Sequence, residues 1–184
     1  DAKKRYAEIS ARLSQLSSDF SNHVLDATQV YFKPLTEEQL EGLPTSSIEL
    51  LKQYGQQRDL DQAVATLDMP SYIAIMTYAK DRAVREALYH AYTTRASELG
   101  RHPEFDNTPV MQEILALRQE MAQLLGFQNY AELSLASKMA PSVKSVQDFL
   151  IDLARHARLP AEHDMTELTN IAKQDGIDDL QPWD

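Results

Sequence analysis

Along the opening segment, Tyr6, Ile9, Leu13, Leu16, Phe20, Val24 and Ala27 recur at steps of three and four. A 3.6-residue period turns these positions into one apolar stripe, predicting a single long helix of about 40 Å at 1.5 Å per residue. From Thr28 to Leu35 the chain changes character: β-branched and aromatic residues cluster and Pro34 forbids a continuing helix, so a short strand is expected. Thr36 and Gln39 have the spacing of a capping box for a one-turn helix closing at Gly42. Ile48, Leu51 and Tyr54 mark another short helix ending near Gly55. Ala63 to Leu67 is a second strand candidate, able to pair with the first as a small hairpin-like ribbon.

The remainder of the chain is helical in pattern. Pro70 suits a first helical turn, with Tyr72, Ile73, Met76 and Ala79 as the inner face. Asp81 is an N-cap residue for a helix carrying Val84, Leu88, Ala91, Tyr92 and Leu99 up to Gly100. The polar stretch from Arg101 to Asn107 reads as a loop. Thr108 and Pro109 open a helix with Ile114, Leu117, Met121, Leu124 and Leu125, stopping at Gly126. Asn129 with Glu132 starts a short one, and Ser142 opens another carrying Val146, Phe149, Leu150, Leu153 and Ala157. Pro160 is expected to break or kink that helix before a last one, Ala161 to Ala172, which ends at Gly176. The prediction is mainly α: about eight helices and at most a two-stranded ribbon near residues 28–35 and 63–68. No repeat or Gly/Ser linker divides the sequence, so 1–184 reads as a single helical unit.

Composition narrows the function classes. A chain of 184 residues that is 43% hydrophobic can bury a core without a metal or disulfide to hold it. Its net charge of −10 repels phosphate backbones and anionic headgroups, so neither nucleic acid nor a membrane is an expected partner. No apolar run approaches the ~20 residues of a bilayer span. The absence of cysteine removes thiolate and Cys-ligated zinc chemistry and fits a cytoplasmic location. The chain starts at Asp1 without Met and closes on Trp183, an aromatic with no following residues to pack against, so both ends read as cut.

No complete active site is apparent, and no catalytic, cofactor-binding or metal residue is assigned. A helical zinc peptidase needs His-Glu-x-x-His, whose four-residue step puts both imidazoles on one face with the Glu beside the bound water. His23, His90, His102, His156 and His163 precede Val, Ala, Pro, Ala and Asp instead. His156 and His163 straddle Pro160 and read as surface residues, whereas His23 and His90 lie near apolar helix faces and read as packing residues. His102-Pro103-Glu104 lacks the cysteines that a zinc deaminase requires. Glu37-Glu38 and Asp178-Asp179 read as a helix-capping pair and a solvated loop pair. Met69, Met76, Met111, Met121, Met139 and Met165 read as core gap-fillers, the alternative being an adaptable peptide-binding surface.

Several ordered blocks carry a resemblance. They are Leu67-Asp68-Met69-Pro70-Ser71-Tyr72-Ile73-Ala74-Ile75-Met76-Thr77-Tyr78, then Arg85 through Tyr92-Thr93-Thr94-Arg95-Ala96, and Ile114-Leu115-Ala116-Leu117-Arg118. Leu124-Leu125-Gly126-Phe127-Gln128-Asn129-Tyr130-Ala131-Glu132, Lys138-Met139-Ala140 and Leu180-Gln181-Pro182-Trp183-Asp184 follow. Together they resemble the middle region of the thimet oligopeptidase family of zinc metallopeptidases, over the whole chain. The resemblance implies a parent that cleaves short peptides in a channel between two helical halves, by zinc-bound water activated by the Glu of His-Glu-x-x-His. That motif would lie beyond Asp184, in a catalytic half missing here, and zinc would belong to the parent. On this reading the chain is a non-catalytic fragment, inactive alone, that walls the channel, pairs with the missing half and self-associates without it. The alternative is a free-standing helical interaction module with no enzymatic activity.

Overall fold

The computed structural model describes residues 2–184. In chain order the elements are α1 (Ala2–Val30), β1 (Phe32–Pro34), a single 3-10 turn (Glu38–Leu40), α2 (Thr45–Gln56), β2 (Val64–Thr66), α3 (Met69–Tyr78) and α4 (Arg82–Thr94). A second 3-10 turn (Pro103–Phe105), α5 (Thr108–Leu124), α6 (Tyr130–Leu135) and α7 (Val143–Gln174) complete them. The described residues are thus mainly α with one two-stranded sheet, as the hydrophobic pattern predicts. Their contacts gather into two compact units: residues up to Leu16 with Met111–Leu180, and Ser17–Val110 with Gln181–Asp184. Two of the boundaries fall inside α1 and α5, where no change of composition marks them, and the third lies between Leu180 and Gln181, after α7.

The unit built on Ser17–Val110 holds the sheet. β1 and β2 pair antiparallel with Phe32 opposite Thr66, Lys33 opposite Ala65 and Pro34 opposite Val64. Every residue of β2 is buried, and α2 and α3 both pack on it. The core joins Leu35, Leu40, Leu51, Ala65, Leu67, Ile75, Val84 and Leu88. Pro34 is tolerated because β1 is an edge strand and needs no further donor. Strand β1 starts later than expected because α1 continues to Val30, the Thr28 hydroxyl donating to the Val24 carbonyl at 2.7 Å. The Thr36 and Gln39 pair closes reciprocally: the Gln39 amide oxygen accepts from Thr36 N at 3.1 Å, and the Thr36 hydroxyl accepts from Gln39 N.

Two of this unit's helices depart from the hydrophobic pattern. The inner face of α3 is Ser71, Ala74 and Ile75, while Ile73 is about half exposed. Ser71 is inside because its hydroxyl accepts from the Thr66 backbone N–H at 2.9 Å, pinning α3 to β2. Helix α4 ends at Thr94, not Gly100, and Leu99 is exposed. The Thr93 and Thr94 hydroxyls bond back to the Tyr89 and His90 carbonyls, and Arg95 leaves the helix with its guanidinium 3.6 Å from the centre of the Tyr92 ring.

In the other unit Ile9, Leu16, Met121, Ala122 and Ala172 are buried. Asn129 caps α6 by accepting from Glu132 N, and Ser142 and Ser145 form a reciprocal capping box for α7. Helix α7 runs 32 residues without interruption through Pro160, so the expected break there does not occur and one helix replaces two. At about 1.5 Å per residue it is roughly 48 Å long. Of the methionines expected in the core only Met121 is buried; Met69, Met111, Met139 and Met165 are exposed.

Candidate functional site

The five histidines are held in different ways. His23 is half-buried and donates from Nδ1 to Asn107 Oδ1 at 2.9 Å; the Asn107 amide nitrogen donates to the Phe20 carbonyl at 3.1 Å. Asn107 N also donates to the Ala96 carbonyl, so this 1%-exposed asparagine clasps α1 to the loop after α4, and His23 is a structural partner in it. His90 is exposed, not on the inner face of α4, and lies 4.0 Å from Glu86. His102 sits 3.1 Å from Glu104, whose carboxyl is held below its ordinary range by a backbone hydrogen bond first and by His102 second. His156 and His163 project from the exposed face of α7.

The last residues form an anchor that no spacing or motif predicts. Trp183 is 9% exposed, packed at 5.4 Å from the Tyr89 ring and 5.0 Å from the His90 ring, so it is packed after all. Arg82 donates two parallel bonds to the Asp184 carboxylate at 2.7 and 2.9 Å, and Arg85 donates to the Trp183 and Ala79 carbonyls, each at 2.6 Å. The Arg82 hydrogen bonds first, and the Gln181 backbone N–H after them, hold the Asp184 carboxyl below its usual range.

Beside His90 opens a cavity of about 320 Å³. Its walls come from the end of α1 with Tyr31, from Leu67, from the outer turn of α4, and from the loop Arg95–His102. Arg95, Arg101, His90 and His102 contribute to it, and no Asp or Glu does. The Arg101 guanidinium carbon lies 5.4 Å from the centre of the Tyr31 ring and has no ion-pair partner among the described residues. Tyr31 is 7% exposed and its hydroxyl has no hydrogen-bond partner among the described residues; Arg95 Nε is likewise buried and unpaired among them. Burial pushes the Tyr31 phenol up, with the Arg101 charge acting against it, so the hydroxyl stays protonated. Sequence spacing could not reveal this grouping, because its members come from segments that only the fold brings together.

A second feature is the surface of α7. Phe149, Leu150, Ile151, Leu153, Leu159, Met165, Leu168 and Ile171 are each at least half exposed. So many exposed large apolar side chains on one helix are the mark of an element that normally meets another surface. His163, Asp164 and Glu167 on the same helix could approach one cation. All three are exposed, His163 and Glu167 stand 3.8 Å apart as an ordinary i,i+4 pair, and no outer hydrogen bond among the described residues orients them as metal ligands are oriented.

The sequence profile described as peptidase family M3 matches residues 75–184. The chain belongs to peptidase family M3. It is 48% identical over its whole length to oligopeptidase A of Salmonella typhimurium, of which it covers 28%. It is 40% identical to the probable cytosolic oligopeptidase A of Arabidopsis thaliana, again over its whole length and over 27% of that protein. For the chloroplastic and mitochondrial organellar oligopeptidase A of the same plant the identity is 39%, over the whole chain and 24% of the relative. The chain therefore spans about a quarter of the length of these relatives.

Members of this family use zinc, and the residues described here do not fit such a site. His90 and His102 share a cavity wall with two guanidinium groups, which repel a dication, and the carboxylate and second imidazole of a His-Glu-x-x-His step are missing.

Proposed function

We propose that this chain is the non-catalytic helical segment of a zinc-dependent oligopeptidase that hydrolyses short peptides. Its helices form part of the wall of the substrate channel and support the catalytic half of the same polypeptide. The observation that carries the reading is the match to oligopeptidase A along the whole chain, over only about a quarter of the relative's length and without a His-Glu-x-x-His step. The apolar length of α7 supports it, since a helix exposed on that scale is stable when a second layer covers it. Zinc would be held by residues outside this chain. A cytoplasmic site of action fits a structure in which no described helix is long and apolar enough to cross a membrane.

The test compares the full-length gene product with this chain. The full-length protein is expected to carry His-Glu-x-x-His beyond the position of Asp184, to cleave an internally quenched peptide, and to lose that activity to a chelator and regain it with zinc. The isolated chain is expected to cleave nothing, to bind no stoichiometric zinc and to self-associate in light scattering. A parent lacking the motif, or chelator-sensitive cleavage by the repurified chain, would overturn the proposal. A clean monomer at high concentration would overturn the assignment of α7 as a covered surface.

A further inference from the structure

The cavity beside Tyr31 is independent of the peptidase reading, and we infer that it is a binding site for a small oxyanion, the carboxylate or phosphate group of a ligand of modest size. Four observations converge on that ligand chemistry. The protein carries a net charge of −10, yet the lining holds two arginines and two histidines and no carboxylate. Arg101 lies over Tyr31 and among the described residues spends none of its five N–H donors on a carboxylate, leaving a guanidinium fork for bidentate recognition. The Tyr31 hydroxyl and Arg95 Nε, on two of the lining residues, are buried donors with no acceptor among the described residues, an arrangement that costs stability. A volume of about 320 Å³ lies at the lower end of small-molecule sites.

The remaining walls set the limits of the ligand. Leu67, Ala87, Ala91 and Leu99 provide a short apolar surface beside the cations, room for a few carbons behind the head group. Arg95 is already committed through Nη1 to the Tyr92 carbonyl at 2.6 Å and by its face to the Tyr92 ring, so it is a fixed donor. Arg101 lies on an exposed stretch, so its guanidinium is the cation of the wall most open to an incoming anion. Among the described residues the carboxylates paired with the histidines of the wall are Glu86 and Glu104, which engage His90 and His102 and not the arginines.

The experiment uses the full-length parent protein, with equilibrium dialysis of inorganic phosphate and, separately, of benzoate as a carboxylate with a small apolar body. Arg101→Gln is exposed and should not disturb folding; Tyr31→Phe deletes one oxygen; Arg158→Gln on α7 is the control for nonspecific charge. At least one anion should bind saturably with one site per chain, at unchanged affinity in Arg158→Gln. A hydrogen bond to a charged group predicts weakening of about tenfold or more in Arg101→Gln and about threefold or more in Tyr31→Phe. Whichever anion binds more tightly assigns the head group. Absence of saturable binding by both anions, or binding unaltered in both cavity variants while circular dichroism reports native helix, would overturn the inference.

Discussion

Gly55 lies in the last turn of α2, where helix propensity alone would make alanine better by about 0.5–1 kcal/mol. Its surroundings reverse that sign. A Cβ at Gly55 would stand 2.0 Å from the Gln62 carbonyl oxygen and 3.2 Å from that of Leu60. Ordinary C···O contacts lie at about 3.3 Å or beyond, so the loop would have to retreat by more than ~1 Å. It has little freedom to do so. Leu60 N and Arg58 N donate to the Gly55 carbonyl at 3.0 and 2.8 Å, Leu35 N donates to the Ala63 carbonyl at 2.9 Å, and the next residues are the buried strand β2. Overpacking against backbone belongs at the upper end of the usual ~1–3 kcal/mol, which after subtracting the helix gain leaves Gly55→Ala destabilised by about 2 kcal/mol. That corresponds to a fall in Tm of about 4–8 °C for a protein of this size. Trp183 is the only tryptophan and sits in the same unit as Gly55, so urea unfolding followed by its emission reads the effect where it arises. Gly126→Ala is the companion, because a Cβ there meets nothing within 4 Å and only the φ of +82° opposes it, at about 1–2 kcal/mol. Gly55→Ala proving as stable as the parent chain would refute the close-approach argument.

Asn107→Ala removes two side-chain hydrogen bonds from a buried position and should cost about 1–3 kcal/mol in the same assay. In a double-mutant cycle with His23→Ala the two changes should couple by roughly 0.5–1.5 kcal/mol, and strict additivity would deny the clasp. Ser71→Ala orphans the buried Thr66 N–H and should destabilise by about 1–3 kcal/mol, although by hydropathy it looks harmless; amide exchange at Thr66 should speed up with it. The Asp184 carboxyl is depressed by Arg82, so its stabilising contribution is complete above the ordinary aspartate value of about 3.9 and is lost as pH falls through the lower folded value. Trp183 emission should therefore shift red on acidification in that window. Asp184→Asn should show the looser emission at all pH values, and a tight, pH-independent signal in that variant would contradict the anchor.

Much of the fold was legible because local chemistry and tertiary packing agree. The stripe from Tyr6 to Ala27 is a helix, the caps at Asp81, Asn129 and Ser142 engage as their side chains suggest, and Pro34 sits on an edge strand. The failures occur where a hydrogen bond made in three dimensions outranks hydropathy. Ser71 turns inward because Thr66 N needs an acceptor, and α4 stops at Thr94 because Arg95 finds the Tyr92 ring and carbonyl. Pro160 misleads in the opposite sense: one missing donor is a local loss, and α7 continues across it. The family was legible from blocks in order, whereas the cationic cavity was not, since Tyr31, Arg95 and Arg101 are each ordinary at their own positions.

The anchoring of Trp183 and Asp184 on α4 also sets a timetable for biosynthesis. Their unit includes Ser17–Val110 and Gln181–Asp184, with Met111–Leu180 translated in between. At roughly 5–20 residues per second, the stretch of roughly 100 residues from α4 to the anchor keeps Arg82, Arg85 and Tyr89 waiting about 5–20 s for their partners. During those seconds the nascent chain presents Arg82, Arg85 and Tyr89 without the carboxylate, carbonyl and indole that they meet in the folded unit.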